Sequence, residues 1–174
     1  CLRAGRGQRL PPMKLQLDID NTYGKTGWIP SRKQLRCWAT AALSSTRQTA
    51  ELSVRIVGEA ECAELNQRYR HKPGPTNVLS FPADLPPDLE LPLLGDLVIC
   101  APVVEREAAE QGKPIEAHWA HILVHGCLHL IGYDHIEDND ADVMEALETR
   151  ILTKLGFSPP YQQDDAPEQQ IFHD

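Results

Sequence analysis

Several features that would narrow the function of this protein at once are missing from its sequence. No apolar run approaches the roughly 20 residues that a helix needs to cross a bilayer. No succession of basic, apolar and small residues typical of a signal peptide opens the sequence. The five cysteines are odd in number, scattered and never spaced as C-x-x-C, which predicts reduced, mostly buried thiols. We therefore expect a cytoplasmic protein with no membrane partner.

An excess of positive charge is missing as well. The formal net charge is −8, which argues against broad nucleic-acid binding. The charge is uneven, however. A short basic cluster is formed by Arg68, Arg70, His71 and Lys72, whereas the segment 159–174 carries acidic side chains and no Lys or Arg. This distribution favours a local basic site on an acidic body.

Length and composition fit one globular domain. A hydrophobic fraction of 41% over 174 residues is enough for a single core. Alternating apolar residues predict four strands, at 15–19, 52–57, 76–82 and 95–100. Helical spacing and capping residues predict five helices, at 32–43, 59–69, 102–111, 115–131 and 138–155. We therefore expect an α+β fold, in which about five helices cover a small mixed four-stranded sheet.

The two ends of the chain differ from this domain. Residues 1–12 have no periodicity and are expected to be disordered, residues 13–158 to fold, and residues 159–174 to form a loose acidic tail. In the last predicted helix, the apolar stripe expected to face inward consists of Val143, Leu147, Ile151 and Leu155.

A cluster of histidines is the most informative feature present. His125 and His129 are four residues apart, so on a helix both imidazoles leave the same face. Gly132 can adopt the left-handed conformation that ends a helix, after which His135 can approach the same point. Three neutral imidazoles that converge suit Zn²⁺ and leave its fourth position open for water, which is typical of catalytic zinc.

The helix that carries these histidines is apolar on nearly every side. Such a helix is buried, and buried imidazoles need partners, which a metal can provide. His118 and His121 extend the same stripe, so the spacing also permits a His121/His125 pair. The position of His135 beyond the turn favours His125 and His129, and we interpret the upstream pair as supporting or core residues.

The histidine spacing is also that of metzincin zinc peptidases, H-E-x-x-H-x-x-G-x-x-H. In those enzymes a glutamate follows the first histidine and serves as the general base. Here that position is Gly126. Without the carboxylate, the attacking water has no proton acceptor at this position, so the sequence argues against a peptidase.

The chain resembles the bacterial YbeY family over nearly all of the range from Met13 to Tyr161. The resemblance rests on four blocks: His125 to His135, N-Q-R-Y-R at 66–70, P-T-N-V-L-S-F-P at 75–82, and Gly95-Asp96.

This resemblance implies a zinc-dependent, single-strand-specific endoribonuclease that acts in ribosomal RNA maturation and ribosome quality control. It implies that residues 13–158 are the catalytic domain, that one Zn²⁺ is bound by His125, His129 and His135, and that Arg70 is the other functional residue. The implied partners are single-stranded ribosomal RNA and the ribosome or its small subunit, with no DNA.

Alternatives remain open from the residues themselves. Arg70 can be a surface arginine in a salt bridge, which is worth little energy. No general base is identifiable, and the attacking group is either a metal-activated water or the 2′-hydroxyl of the RNA. Two other functions compete with the nuclease: a non-catalytic ribosome-assembly factor with structural zinc, and a zinc hydrolase of another substrate.

Overall fold

In the computed structural model of the protein, residues 13–24, 27–44, 48–83, 92–132 and 138–158 are described. Residues 1–12 and 159–174, for which we expected disorder and a loose tail, lie outside them. The elements in chain order are β1 (Lys14–Asn21), α1 (Arg32–Leu43), β2 (Thr49–Val57), α2 (Glu59–Arg70), β3 (Val78–Pro82), β4 (Leu93–Cys100), α3 (Ala101–Gln111), α4 (Ile115–Leu130) and α5 (Asp138–Lys154).

The strands form one sheet in the order β1-β2-β4-β3. Strand β1 is parallel to β2, and β2 is parallel to β4. Strand β3 pairs antiparallel with β4 at the edge of the sheet. The prediction of an α+β domain with a mixed four-stranded sheet and five helices is confirmed for the described residues.

The main core lies on one face of this sheet. Strand β1 shows why, because Leu15 and Leu17 are buried while Lys14 and Gln16 are exposed. Apolar side chains of α1, α4 and α5 pack against this face, together with the start of α3. A smaller cluster on the other face joins α2 to the sheet through Cys62, Leu79 and Val98. The sheet therefore separates two layers of unequal size.

Local signals in the sequence fix the ends of several helices. Ser31 begins α1 with a capping box: its Oγ accepts from the backbone N–H of Gln34 at 3.1 Å, and the Gln34 side chain accepts from the Ser31 N–H at 2.9 Å. After α4, Gly132 has a φ of 107°, which a residue with a Cβ rarely adopts. The predicted stop at Gly132 is confirmed.

Two sequence-based expectations are wrong. On α5, Ile151 is buried and Leu147 and Leu155 pack against the core as expected, but Val143 is 50% exposed. Met144 and Leu152 are buried as well, so the inward face extends to the neighbouring positions and does not begin at Val143. The expectation that all cysteines are reduced also fails. Cys62, Cys100 and Cys127 are free and buried, but Cys37 is disulfide-bonded.

No helix within the described residues combines the length and the apolarity that crossing a membrane requires.

Candidate active site

Helix α4 carries four histidines along one stripe: His118, His121, His125 and His129. The helix lies close against the sheet, and Gly126 marks the contact. A Cβ at Gly126 would lie 2.8 Å from Cδ2 of Leu97 and 3.4 Å from Cγ2 of Val78. Because glycine has no side chain, the last turns of α4, which carry His125 and His129, approach the sheet closely.

Position 126 also tests the peptidase alternative. Its side chain would point into the contact with Leu97, which is 0% exposed, and Val78. A glutamate there would be forced into a packed apolar layer, away from the imidazoles of neighbouring turns. The glycine is therefore required by packing, and this position provides no general base.

His125 and His129 are brought together as the sequence predicted. Their Nε2 atoms are 3.1 Å apart, and their ring centroids are 4.6 Å apart. Two nitrogens bound to one tetrahedral zinc at 2.0–2.1 Å are separated by about 3.3 Å. The two rings thus already stand at nearly the spacing that a shared metal ion needs, and this donor set fits zinc.

A carboxylate lies behind this pair. Glu148 of α5 is fully buried, and its Oε1 accepts a hydrogen bond from Nδ1 of His125 at 2.5 Å. Its Oε2 accepts from Nε2 of His121 at 3.0 Å. One ligand atom from each of His121, His125 and Glu148 falls within 4.8 Å of the others. These residues are therefore a second group that is compatible with one metal ion.

The protonation states agree with this arrangement. Burial raises the pKa of Glu148, but the hydrogen bonds from His121 and His125 together lower it by more than burial raises it. The pKa of Glu148 therefore lies below its usual range. Burial lowers the pKa of His121, and the contact with Glu148 only partly opposes that shift. The pair is therefore an ionised carboxylate beside a neutral imidazole.

At the other end of the stripe, His118 has a different partner. Its Nε2 hydrogen-bonds Oε1 of Glu107 on α3 at 3.0 Å. Glu107 also accepts from Nδ2 of Asn77 at 3.2 Å. His118 is 3% exposed, and this network ties α3 and α4 to the start of β3. The interpretation of His118 as a core residue agrees with these contacts.

Two residues named in the sequence analysis remain. His135 lies outside the described residues. Arg70 is the last residue of α2 and is partly exposed, and it forms no hydrogen bond or ion pair with any part of the chain that is described. The salt bridge that we considered for Arg70 is thus absent there. Its guanidinium is available for a ligand.

Sequence reasoning missed Glu148. Asp96, from the Gly95-Asp96 block of the resemblance, does not take the place of Glu148: it is next to Leu97, which contacts α4, and so it points to the opposite face of the sheet. There Asp96 lines a cavity of about 530 Å³. The signal for Glu148 was available, because it stands on the same stripe of α5 as Met144, Ile151 and Leu152.

Comparison with known proteins identifies the family of this chain. The family described as Endoribonuclease YbeY matches residues 21–156. The fold is similar to the solution structure of TM1509 from Thermotoga maritima, with a TM-score of 0.56 and 26% sequence identity over 85% of this chain and 100% of that one. Because the family match spans most of the sequence and includes the histidine helix, the chain belongs to the YbeY endoribonuclease family.

Proposed function

We propose that the protein is a zinc-dependent, single-strand-specific endoribonuclease that acts in ribosomal RNA maturation and ribosome quality control. One observation carries the proposal: in a chain of the YbeY family, Nε2 of His125 and Nε2 of His129 converge to 3.1 Å at the end of a buried helix. That geometry suits a metal ion better than it suits a packed core.

The proposed ligands of the single Zn²⁺ are His125, His129 and His135. Two of them come from adjacent turns of α4, and Gly132, with a positive φ, ends the turn that closes this helix. When bound, zinc supplies Lewis acidity that ionises water near neutral pH. Three histidine ligands leave a fourth position open, whereas structural zinc sites are usually closed by four protein ligands.

Arg70 is proposed to bind the scissile phosphate. A guanidinium presents a fork of donors that matches phosphate oxygens, and the charge on those oxygens grows as the phosphodiester bond is broken. Two observations support this role: the guanidinium at the end of α2 has no partner among the described residues, and the neighbouring Arg68, His71 and Lys72 give the end of the helix a positive charge.

The nucleophile is either a water activated at the metal or the 2′-hydroxyl of the RNA. The products distinguish the two routes. Attack by the 2′-hydroxyl leaves a 2′,3′-cyclic phosphate, whereas attack by water leaves a simple terminal phosphate. We propose residues 13–158 as the catalytic domain, single-stranded ribosomal RNA as the substrate, the ribosome or components of its small subunit as partners, and the cytoplasm as the location.

Cleavage of RNA by matched variants tests the proposal. Purified protein is incubated with a single-stranded ribosomal RNA fragment and with its duplex, alongside Arg70→Ala, His129→Ala and the control Arg68→Ala. We expect cleavage of the single strand only, with an unchanged kcat and only a raised KM in Arg68→Ala, since Arg68 adds to the local positive charge without holding the scissile phosphate. In Arg70→Ala, kcat should fall about 10²–10³-fold, the usual cost of one charge-stabilising donor, with the metal retained.

Equal cleavage by all four proteins would point to a contaminating nuclease and contradict the proposal. Binding of ribosomal RNA without cleavage, with stoichiometric zinc in the wild type, would favour the non-catalytic assembly factor. Cleavage of a peptide library in place of RNA would favour a different zinc hydrolase.

A further inference from the structure

Glu148 contacts two histidines of α4 through different ring atoms. It meets His125 at Nδ1 (2.5 Å) and His121 at Nε2 (3.0 Å). The carboxylate is 0% exposed, and its own helix, α5, lies alongside α4. A buried carboxylate that is held by two imidazoles defines the orientation of both rings.

The two contacts have opposite consequences for metal binding. A neutral imidazole has one N–H and one lone pair, so donation from Nδ1 of His125 leaves the lone pair on Nε2. That is the nitrogen which faces Nε2 of His129. In His121 the nitrogen that donates to Glu148 is Nε2 itself. The same carboxylate thus leaves Nε2 of His125 able to bind a metal ion and uses Nε2 of His121 for a hydrogen bond.

We propose that Glu148 is a positioning residue for the metal centre. It fixes His125 in the tautomer that binds metal through Nε2, and it keeps His121 out of the coordination sphere. This inference rests on the proposed function only in assuming that His125 and His129 bind a metal ion. It also decides between the two pairs that the spacing of histidines on α4 permits.

The distances disfavour Glu148 as a direct ligand. Two ligand atoms on one zinc ion are separated by about 3 Å or more. Oε1 of Glu148 and Nδ1 of His125 are 2.5 Å apart, a hydrogen-bonded contact shorter than the usual N–H···O distance and shorter than the separation of two zinc ligands. A metal ion between them would require the two side chains to separate.

Zinc affinity, measured by chelator competition without RNA, tests the proposal. Glu148→Gln keeps the shape of the side chain but weakens the acceptor, and we expect the dissociation constant to rise about 10–100-fold. Glu107→Gln is the matched control, because Glu107 makes the same contact with His118 away from the proposed ligands, and it should leave the affinity unchanged. His121→Gln should still bind one zinc ion per chain.

Two outcomes would overturn the proposal: wild-type affinity in Glu148→Gln, or loss of the zinc ion in His121→Gln. The second outcome would identify His121, His125 and Glu148 as the ligands. Because no RNA is used, failure of the nuclease proposal shows separately, as a protein that binds zinc in this way but leaves RNA intact.

A measurement on the wild-type protein remains decisive even if Glu148→Gln does not fold. Long-range ¹H–¹⁵N correlation spectra distinguish the two nitrogens of each histidine ring. We expect Nδ1 of His125 to carry a proton and its Nε2 to bear a metal-bound signal that changes on chelation. A protonated Nε2 on His125 in the zinc-loaded protein would overturn the inference.

Discussion

The two halves of helix α4 contain the same kind of contact with different results. In the N-terminal half, His118 meets Glu107 at 3.0 Å, and in the C-terminal half His125 meets Glu148 at 2.5 Å. The difference lies in the other ring nitrogen. Nδ1 of His118 is buried and has no partner within the described residues, whereas Nε2 of His125 faces another imidazole. A carboxylate–histidine contact prepares a metal site only where the second nitrogen meets further donors.

Removing one imidazole from each half of α4 should give the largest difference, which is a difference in zinc content. We expect His129→Ala to lose stoichiometric zinc and, with it, all detectable cleavage of RNA, because two remaining ligands cannot hold the ion. His118→Gln should keep the zinc ion and lose only stability. Elemental analysis of protein purified without added metal measures both. Equal zinc content in the two variants would contradict the distinction between the halves.

Removing the carboxylate partner of each half should lower the free energy of unfolding by different amounts. Glu148→Ala leaves two buried ring N–H groups without their acceptor, at about 1–3 kcal/mol each, and we expect a loss of roughly 2–6 kcal/mol in the free energy of unfolding. Glu107 is 28% exposed at its side chain, so water can replace it for His118 and Asn77. Glu107→Ala should cost about 1 kcal/mol.

Urea denaturation of both proteins in the presence of a chelator makes this comparison independent of zinc. A larger loss in Glu107→Ala than in Glu148→Ala would contradict the expected order.

Much of the C-terminal half was predictable from the sequence, since spacing along one helix is a local property. The i, i+4 separation of His125 and His129 determines a shared face, and Gly132 determines where the helix stops. The same reasoning predicted the capping box at Ser31. These features depend on residues within a few positions of one another.

Glu148 was not found because its role depends on how α5 packs against α4, 23 residues from His125 along the chain. The apolar pattern of α5 fits two adjacent stripes. The two share Leu147, Ile151 and Leu155, which pack on the core. The expected stripe begins at the exposed Val143 and omits Glu148, whereas the observed face includes Met144 and Leu152 and, between them, the buried Glu148. A prediction from the apolar pattern places only apolar residues in the core. It therefore does not select a carboxylate that is buried because its partners are on another helix.

A substitution at the close contact between α4 and the sheet should change stability less than the loss of Glu148 does. Gly126→Ala places a Cβ 2.8 Å from Leu97, which is fully buried and cannot move away freely. Overpacking of this kind costs about 1–3 kcal/mol, against a gain of up to about 1 kcal/mol from replacing a helical glycine. We expect a net loss of stability and a slight weakening of zinc binding, since α4 must shift.

Thermal unfolding with and without zinc tests this expectation. Gly58→Ala, before α2, where φ is −88° and a Cβ would meet only the ring of Tyr23 at 3.5 Å, controls for the loss of a glycine as such. A Gly126→Ala protein as stable as the wild type would show that the layer between α4 and the sheet is loosely packed.

The dependence of stability on pH is the finest test, because it concerns a single proton on His121. Burial holds the pKa of His121 below its unfolded value of about 6.5. The unfolded chain therefore binds this proton first as the pH falls. The stability that His121 contributes is present above about pH 6.5 and is lost as the pH falls through the lower, folded pKa, with a slope of at most about 1.4 kcal/mol per pH unit.

The experiment compares the chelator-treated wild type with chelator-treated His121→Gln between pH 7 and pH 5. The difference between the two proteins isolates the proton of His121 from those of the other histidines, while the ionisation of Glu148 lies at more acidic pH. The wild type should lose more stability than the variant over this range. A wild type that gains stability relative to His121→Gln on acidification would mean that His121 is protonated in the folded state, so that Glu148 pairs with an imidazolium at this position.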